Sequence, residues 1–388
     1  MIADYKYLSK DNYHSIFIPI LTYIMMKSKG TVLLGLSGGV DSALSAYLLK
    51  QQGYKVIGAF MKCFSDTKDP ITGECNWTKD KLDAQKIAAQ LEIPFIQLDF
   101  EKQYKKEVIL PMLKAYEKGL TPNPDIACNT IIKFPLLWKE ARKLKCDFIA
   151  TGHYARIKST PKGFRLLSGK DKTKDQTYFL SELSQDDLSH TLFPVGNLEK
   201  EDVRRLAKSH KLINWNKKGT RGICFVGKVN MQKFLKDKIK SKQGNVIDEN
   251  NNLIGTHLGV QFYTIGQRAH PSIGIDIHKS KEDSQKKLYI ADKTKNNELI
   301  IVPENHPLLS KREILLHNPH FINPRDKIPK LIQGRIRHLG QLYPGKLTKK
   351  NNKFVFISNS PIPSVAEGQF IVLYNKEICV GGGEIRLK

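Results

Sequence analysis

Ser37-Gly38-Gly39-Val40-Asp41-Ser42 follows the apolar run Val32-Leu33-Leu34-Gly35-Leu36 and precedes Ala43-Leu44-Ser45-Ala46-Tyr47-Leu48-Leu49, which reads as a helix. A strand, a loop of small residues and a helix start together make an anion site. Gly38 and Gly39 let the backbone approach an anion closely and take positive φ at no steric cost. Ser37 and Ser42 add hydroxyl donors, and the helix start adds N–H groups with a partial positive charge. The stretch from Gly35 and Leu36 through Val40 to Ser42 therefore fits a phosphate or pyrophosphate.

No G-x-x-x-x-G-K-[ST] occurs in the chain, so no Walker lysine reaches a γ-phosphate. The string instead resembles the SGGxDS signature of the PP-loop ATP pyrophosphatases. That resemblance implies ATP as cofactor, cleavage between its α- and β-phosphates, and adenylation of a substrate oxygen. Mg²⁺ is expected on the pyrophosphate, placed by Ser42 or Asp41, although the sequence identifies no metal-ligand set.

The chain has 388 residues, 40% of them hydrophobic, enough for two or three domains. Its formal charge is +25. Lysine often stands beside asparagine, as in Lys349-Lys350-Asn351-Asn352-Lys353, so compositional drift is one explanation. A polyanionic partner is the other, and the anion loop with the motifs below favours RNA. Six cysteines without a C-x-x-C pair exclude a zinc knuckle and a disulfide framework, and suit a reducing, cytoplasmic setting. The apolar segment Ile16 to Met26 contains Pro19, is too short to span a membrane and lacks signal-peptide flanks. Asp4 and Asp11, with no arginine, argue against a mitochondrial transit peptide. We expect residues 1–28 to be an extension, with the native start at Met25 or Met26, and no membrane association.

The first half alternates strand and helix patterns: Val56 to Met61, then the amphipathic Lys81 to Leu91, then Phe95 to Phe100. A helix over Tyr104 to Lys118 is expected to kink at Pro111, another covers Phe134 to Leu144, and Phe148 to Gly152 is the next strand. The fold class is α/β, a doubly wound parallel sheet with ligands at the C-terminal strand ends. We place this domain at 29–198 and a small mixed central domain at 199–277, the latter expected to bind tRNA. After the charged segment His278 to Lys287, short β runs such as Glu298 to Val302, Phe354 to Ile357 and Phe370 to Tyr374 predict a C-terminal β-barrel over 288–388.

Further motifs are Thr121-Pro122-Asn123-Pro124-Asp125-Ile126-Ala127-Cys128-Asn129 with Ile132-Lys133-Phe134, Ala150-Thr151-Gly152-His153-Tyr154-Ala155-Arg156, Lys174-Asp175-Gln176-Thr177-Tyr178-Phe179-Leu180, and Gly222-Ile223-Cys224-Phe225-Val226-Gly227. Phe60-Met61-Lys62, Tyr263 to Arg268 and Cys379 to Gly383 complete the set. In this order they closely resemble the tRNA-specific 2-thiouridylase family (MnmA), from Thr31 to the chain end. The resemblance implies a PP-loop, adenine nucleotide alpha-hydrolase-like fold and an enzyme that installs sulfur at C2 of the wobble uridine of tRNA.

The chemistry is consistent with the residues. Replacing a carbonyl oxygen by sulfur needs a better leaving group than oxide, which adenylation supplies, and a sulfur nucleophile, which a cysteine persulfide supplies. A second thiol then releases the sulfur by forming a disulfide with the first. Cys128 follows two prolines and Cys224 stands between Gly222 and Gly227, so both read as loop cysteines in flexible, exposed segments. Cys146 and Cys379 read as buried hydrophobes, as largely do Cys63 and Cys75. By resemblance, Cys224 carries the persulfide and Cys128 is the nucleophile that resolves it. Asn123, Pro124 and Asp125 contact the target base, and Asp125 accepts a hydrogen bond or handles a proton. Met61 and Gly152 contact adenosine. His153, the loop Lys174-Asp175-Gln176, Arg337, His338 and Gln369 contact tRNA. A rival scheme, an iron–sulfur cluster on Asp125, Cys128 and Cys224, stays open, as does the identity of a persulfide donor or relay protein.

Three stretches depart from the family pattern. Gly219-Thr220-Arg221 replaces an acidic stretch before Gly222-Ile223-Cys224, which implies either a favoured Cys224 thiolate or a loop that docks differently. His338-Leu339-Gly340-Gln341 lacks an expected basic residue, and Glu367-Gly368-Gln369 replaces Pro-Gly-Gln. Two alternatives remain: a PP-loop enzyme using an amine nucleophile, which would need no cysteine pair, or a non-catalytic RNA-binding protein.

Overall fold

The computed structural model describes residues 28–65, 75–219, 231–278 and 287–387. The N-terminal extension, with Met25 and Met26, and the Cys224 motif lie outside these residues. Strands β1 (Thr31–Gly35), β2 (Lys55–Lys62), β3 (Phe95–Asp99), β4 (Phe148–Ala150) and β7 (Thr191–Leu192) form one sheet in the order β3-β2-β1-β4-β7. Every pairing in it is parallel. Strands β5 (Ala155–Thr160) and β6 (Gly163–Ser168) make a hairpin that leaves this sheet. Val32, Leu33 and Leu34 are all fully buried, because helices cover both faces. Val32 and Leu34 pack with Ala43 and Leu44 of the helix Val40–Gln51 and with Ala84 and Ile87. Leu33 points the other way, into a core with Met61, Phe134 and Leu137. The strand order reverses at β1, so the Ser37–Ser42 loop sits at the switch point of a doubly wound sheet, as expected.

The kink expected at Pro111 takes a specific form. Helix Glu101–Tyr104 runs into a π-helical turn, Lys105–Ile109, before helix Leu110–Glu117. The wide turn precedes a proline that can donate no N–H. The same device recurs where Pro124–Ala127 passes through the π-turn Cys128–Lys133 into Phe134–Lys143, with Pro135 at its start.

Two expected boundaries move. Helix Lys200–Ser209 belongs with the first domain, because Val203 and Ala207 pack into the core around Val40 and Leu44. The central sheet comprises β8 (Gly244–Ile247), β9 (Leu253–His257), β10 (Ile275–Ile277), β11 (Leu288–Lys293) and β12 (Glu298–Pro303) in the order β10-β9-β8-β12-β11. Residues 288–303 therefore pair with the central domain and not with the barrel. The charged segment before Leu288 connects two edges of one sheet, and its polarity reads the same as that of an interdomain linker.

The barrel is the expected one, made of β13 (Ser310–Phe321), β14 (Ile332–Arg335), β15 (Tyr343–Lys350), β16 (Lys353–Pro363), β17 (Phe370–Asn375) and β18 (Ile378–Arg386). The order β13-β16-β15-β14-β17-β18 closes through β13–β18 pairing. Its core is Ile314, Phe356, Ile371, Leu373 and Ile385. The β5–β6 hairpin of the first domain continues this sheet, with Leu167 opposite Ile378 and Leu166 opposite Cys379. Arg165 fixes the same junction with two hydrogen bonds to Asp326, 2.8 and 2.9 Å long.

Phe356 is fully buried, and its ring closes on Gly334 and Gly345, where an added Cβ would come within 2.9 and 2.7 Å of it. Phe356→Ala is expected to destabilise the barrel by about 3–5 kcal/mol. Chemical denaturation checks this. A shift below about 1 kcal/mol would show that the ring does not hold the barrel core.

Candidate active site

The loop at the end of β1 is braced from within and from behind. The Ser37 amide donates to Ser42 Oγ at 3.2 Å, the two hydroxyls lie 3.2 Å apart, and Ser42 Oγ donates to the Gly39 carbonyl at 3.0 Å. Gly38 takes φ +74°, and a Cβ there would meet the Asp80 carbonyl at 2.4 Å. Asn214 Nδ2 donates to the Gly38 carbonyl at 2.9 Å. Gly39 caps the helix Val40–Gln51 without a side-chain hydrogen bond, so the first-turn N–H groups stay available to an anion. Gly152, just past β4, lies so close that a Cβ would meet the Ser42 amide nitrogen at 2.8 Å. Met61 is buried at the end of β2, where its methyl would touch a side chain at position 35.

Sequence reading missed the groups that hold Asp41. Its Oδ1 accepts from the Tyr154 hydroxyl at 2.7 Å and from Lys200 Nζ at 2.5 Å. Burial, with the Asp41 charge behind it, drives the Tyr154 phenol well above its usual range, so it stays a donor. Lys217 is bonded to both Asp80 and Asp83, at 2.8 and 2.6 Å, which ties the loop's backing helix to the segment after Lys200–Ser209. Tyr154 stands inside a quoted motif, but the two lysines carry no local signal.

The thiol side departs from expectation. Asn123 is an N-cap whose Oδ1 accepts from the Asp125 and Ile126 amides at 3.2 and 3.3 Å, and Pro124 occupies the first helical position. A proline there is compatible with a helix. Cys128 consequently sits in a helical run and is fully buried, not in an exposed loop. Next to it, Asn129 Nδ2 donates to the Asp125 and Phe179 carbonyls at 3.0 and 3.2 Å. Cys146 and Cys379 are buried as expected, and burial raises both thiols. Cys63 is buried too, and Cys75 is half-buried. Among the described residues no three His, Cys, Asp or Glu side chains gather as a metal site, and Cys224 lies outside them.

The positions assigned to tRNA divide sharply. His153 is 9% exposed, bonded to Thr151 Oγ1 at 2.7 Å and 3.4 Å from Lys133 Nζ; burial holds it well below its usual pKa. Asp175 is 1% exposed and pairs with Arg335 at 3.1 Å, also accepting from Thr177. Gln176 accepts from the Tyr154 amide at 2.9 Å. Within this triplet only Lys174 faces solvent. The His338 ring lies tilted against Phe179, centres 4.3 Å apart, and burial pushes its pKa down to about 4, so the ring is neutral at working pH. Arg337 is exposed.

Three domains converge on the segment before Asp125. Lys293 Nζ donates to the Gly119 carbonyl at 2.8 Å, the Thr121 amide to the Glu367 carbonyl at 2.8 Å, and Asn123 Nδ2 to Gln369 Oε1 at 3.4 Å. Gly368, at φ +90°, leaves no room for a Cβ, which would meet the Thr121 amide nitrogen at 2.8 Å. A cavity of about 450 Å³ opens beside this junction, lined by Tyr116, Gln232, Thr264, Gln267, Arg337 and Gln369.

A family model described as a tRNA methyl transferase HUP domain matches residues 30–228. A tRNA methyl transferase PRC-barrel domain matches 232–303, and an aminomethyltransferase β-barrel domain matches 311–385. Over 366 residues the chain is 40% identical to tRNA-specific 2-thiouridylase MnmA 1 of Geobacillus kaustophilus, covering 93% of this chain and 96% of the relative. The chain belongs to the tRNA-specific 2-thiouridylase family. MnmA of Ruthia magnifica is 39% identical, covering 92% of this chain and 97% of the relative. MnmA of Chlamydia trachomatis is 40% identical, covering 92% and 98%. The thiouridylase match thus spans all three domains, and the three family models divide where the sheets do. No helix among the described residues is long and apolar enough to cross a membrane.

Two outcomes follow. Cys128 is expected to be alkylated later than Cys75 in the native protein, as read by peptide mapping; equal rates would show that its cover opens freely. Arg337→Ala is expected to lower the salt slope of tRNA binding by about 0.7–0.9, one phosphate contact, whereas His338→Gln leaves it unchanged. Equal slopes for both variants would place the charge elsewhere.

Proposed function

We propose that this protein thiolates C2 of the wobble uridine in tRNA at the expense of ATP. The reading rests above all on one arrangement: a pyrophosphate-sized loop with an uncapped helix start at the switch point of a parallel sheet. The curated relatives, named tRNA-specific 2-thiouridylases, supply the substrate class. The family-model description speaks of methyl transfer, but two thiols and a pyrophosphate loop suit sulfur transfer better.

In this reading the uracil O2 attacks the α-phosphorus and pyrophosphate leaves from the loop. The outer sulfur of a Cys224 persulfide then attacks C2, and AMP departs with the former O2. The Cys128 thiolate attacks the Cys224 sulfur, which frees the thiocarbonyl and leaves a Cys128–Cys224 disulfide for an external thiol to reduce. Gly35 to Ser42 cradle the phosphates, and Met61 and Gly152 flank the adenosine. Asn123, Pro124 and Asp125 hold the base, with Asp125 placed to handle a proton. Asp41 is the carboxylate that would hold Mg²⁺, which supplies charge neutralisation on the phosphates when bound. A persulfide donor must charge Cys224. The basic surface, Lys174 and Arg337 included, receives the tRNA backbone.

Asp41→Ala combined with Ser42→Ala is expected to abolish AMP and pyrophosphate formation while leaving the fold intact. Release of ADP and phosphate by the wild type would overturn the assignment. With labelled sulfur, Cys224→Ser should accept no label, while Cys128→Ser should accept it and then stall with the sulfur still joined to Cys224, before any multiple turnover; the opposite pattern would reverse the roles. Nucleoside mass spectrometry of tRNA from cells with and without the protein tests the product.

A further inference from the structure

Seven buried side-chain polar atoms among the described residues have no hydrogen-bond partner. Such an atom destabilises the free protein, so each needs a reason to persist. His190 precedes β7, at the end of the parallel sheet opposite the anion loop. Asn214 Oδ1 backs that loop, where an acceptor has nothing to offer a phosphate. Only Asn129 lies in the segment that the reading above gives to the target base and the thiol.

Asn129 is 3% exposed. Both hydrogens of its amide are engaged: Nδ2 donates to the Asp125 carbonyl at 3.0 Å and to the Phe179 carbonyl at 3.2 Å. Those two bonds fix which way the amide faces, since turning it over would set its oxygen against two carbonyl oxygens. What is left is Oδ1, an acceptor without a donor. Asn129 directly follows Cys128 and is bonded to the backbone of Asp125, so all three share one turn of a continuous helical run.

The uracil ring carries one N–H, at N3, because N1 is joined to the ribose. N3 is bonded to C2, the carbon to be thiolated. A group that reads N3–H must therefore lie beside the groups that act on C2. Cytosine has a lone pair at N3, which would face the Oδ1 lone pairs and leave this acceptor unpaired.

We propose that Asn129 Oδ1 accepts the N3–H of the target uracil and thereby distinguishes uridine from cytidine at the wobble position. This rests on the thiolation reading above and specifies how its base is recognised. The role is recognition and moves no proton. Cys128 is as enclosed as Asn129, so the opening that brings the base to the thiol also brings it to Oδ1.

Binding of full-length tRNA transcripts to the full chain tests this, at raised salt to suppress the phosphate contribution. The transcripts differ only at the wobble position, with uridine, cytidine or N3-methyluridine. Wild type is expected to bind both altered transcripts about 10- to 100-fold more weakly than the uridine one. In Asn129→Ala, the uridine and cytidine transcripts should bind within about threefold of each other, because the acceptor is gone. Thermal melts monitor folding, and Asn129→Ser, whose hydroxyl can still donate to the Asp125 carbonyl, replaces the alanine variant if that fails to fold. The wild-type comparison needs no variant. Either altered transcript bound by wild type as tightly as the uridine one, or discrimination undiminished in the variant, would overturn the role of Asn129; thiolation of the uridine transcript would leave the reading itself standing. A wild type that forms no thiouridine in that transcript with ATP and a persulfide would overturn both.

Discussion

The site depends on one close approach. The chain leaving β4 passes so near the first turn of the helix Val40–Gln51 that residue 152 can have no side chain. Parallel pairing of β1 with β4 brings those two ends together, and the reversal of strand order at β1 leaves the crevice open above them. Gly38 makes a second such approach, to the carbonyl of Asp80. The loop is thus shaped by backbone on two sides. Its serines only complete it, by bonding to each other and to the Gly39 carbonyl.

The thiol side is shaped by different means. Asn123 caps a short helix, Pro124 starts it, and the π-turn from Cys128 to Lys133 carries the chain on into Phe134–Lys143. The residues just ahead of the cap are bonded to the central domain through Lys293 and to the barrel through Glu367 and Gln369. Burial lowers the Lys293 pKa to about 8, so this tie is itself near its titration point at mildly alkaline pH. A displacement of either outer domain reaches the Asn123 cap directly, and Cys128 lies one helical turn beyond.

Much of this was legible in the sequence, and the failures have causes. The anion loop could be read because its signal is local: small residues, two hydroxyls and a helix start within eight positions. The alternation of β and α patterns carried the parallel sheet, and the turn-rich C-terminal strands carried the barrel. Cys128 was misjudged because Pro122 and Pro124 read as helix breakers, whereas a proline at the first helical position breaks nothing. Asp175 read as part of a tRNA-contacting loop, and only the fold brings Arg335 to it, 160 residues away. Lys200, Lys217 and Asn214 have no periodicity or motif to mark them. Composition could not distinguish a connection between two edges of the central sheet from a boundary between domains.

The hairpin β5–β6 reaches across to pair with β18, and the two partners are separated by more than 200 residues of chain. During synthesis the first domain is therefore complete in sequence long before this edge is covered. Until Ile378 and Cys379 emerge, β6 presents unpaired N–H and C=O groups beside Leu166 and Leu167, a template for another chain's strand. Any truncation within the barrel leaves that edge exposed permanently. The protein is built so that its first domain is shielded from self-association only once its last strand has been made.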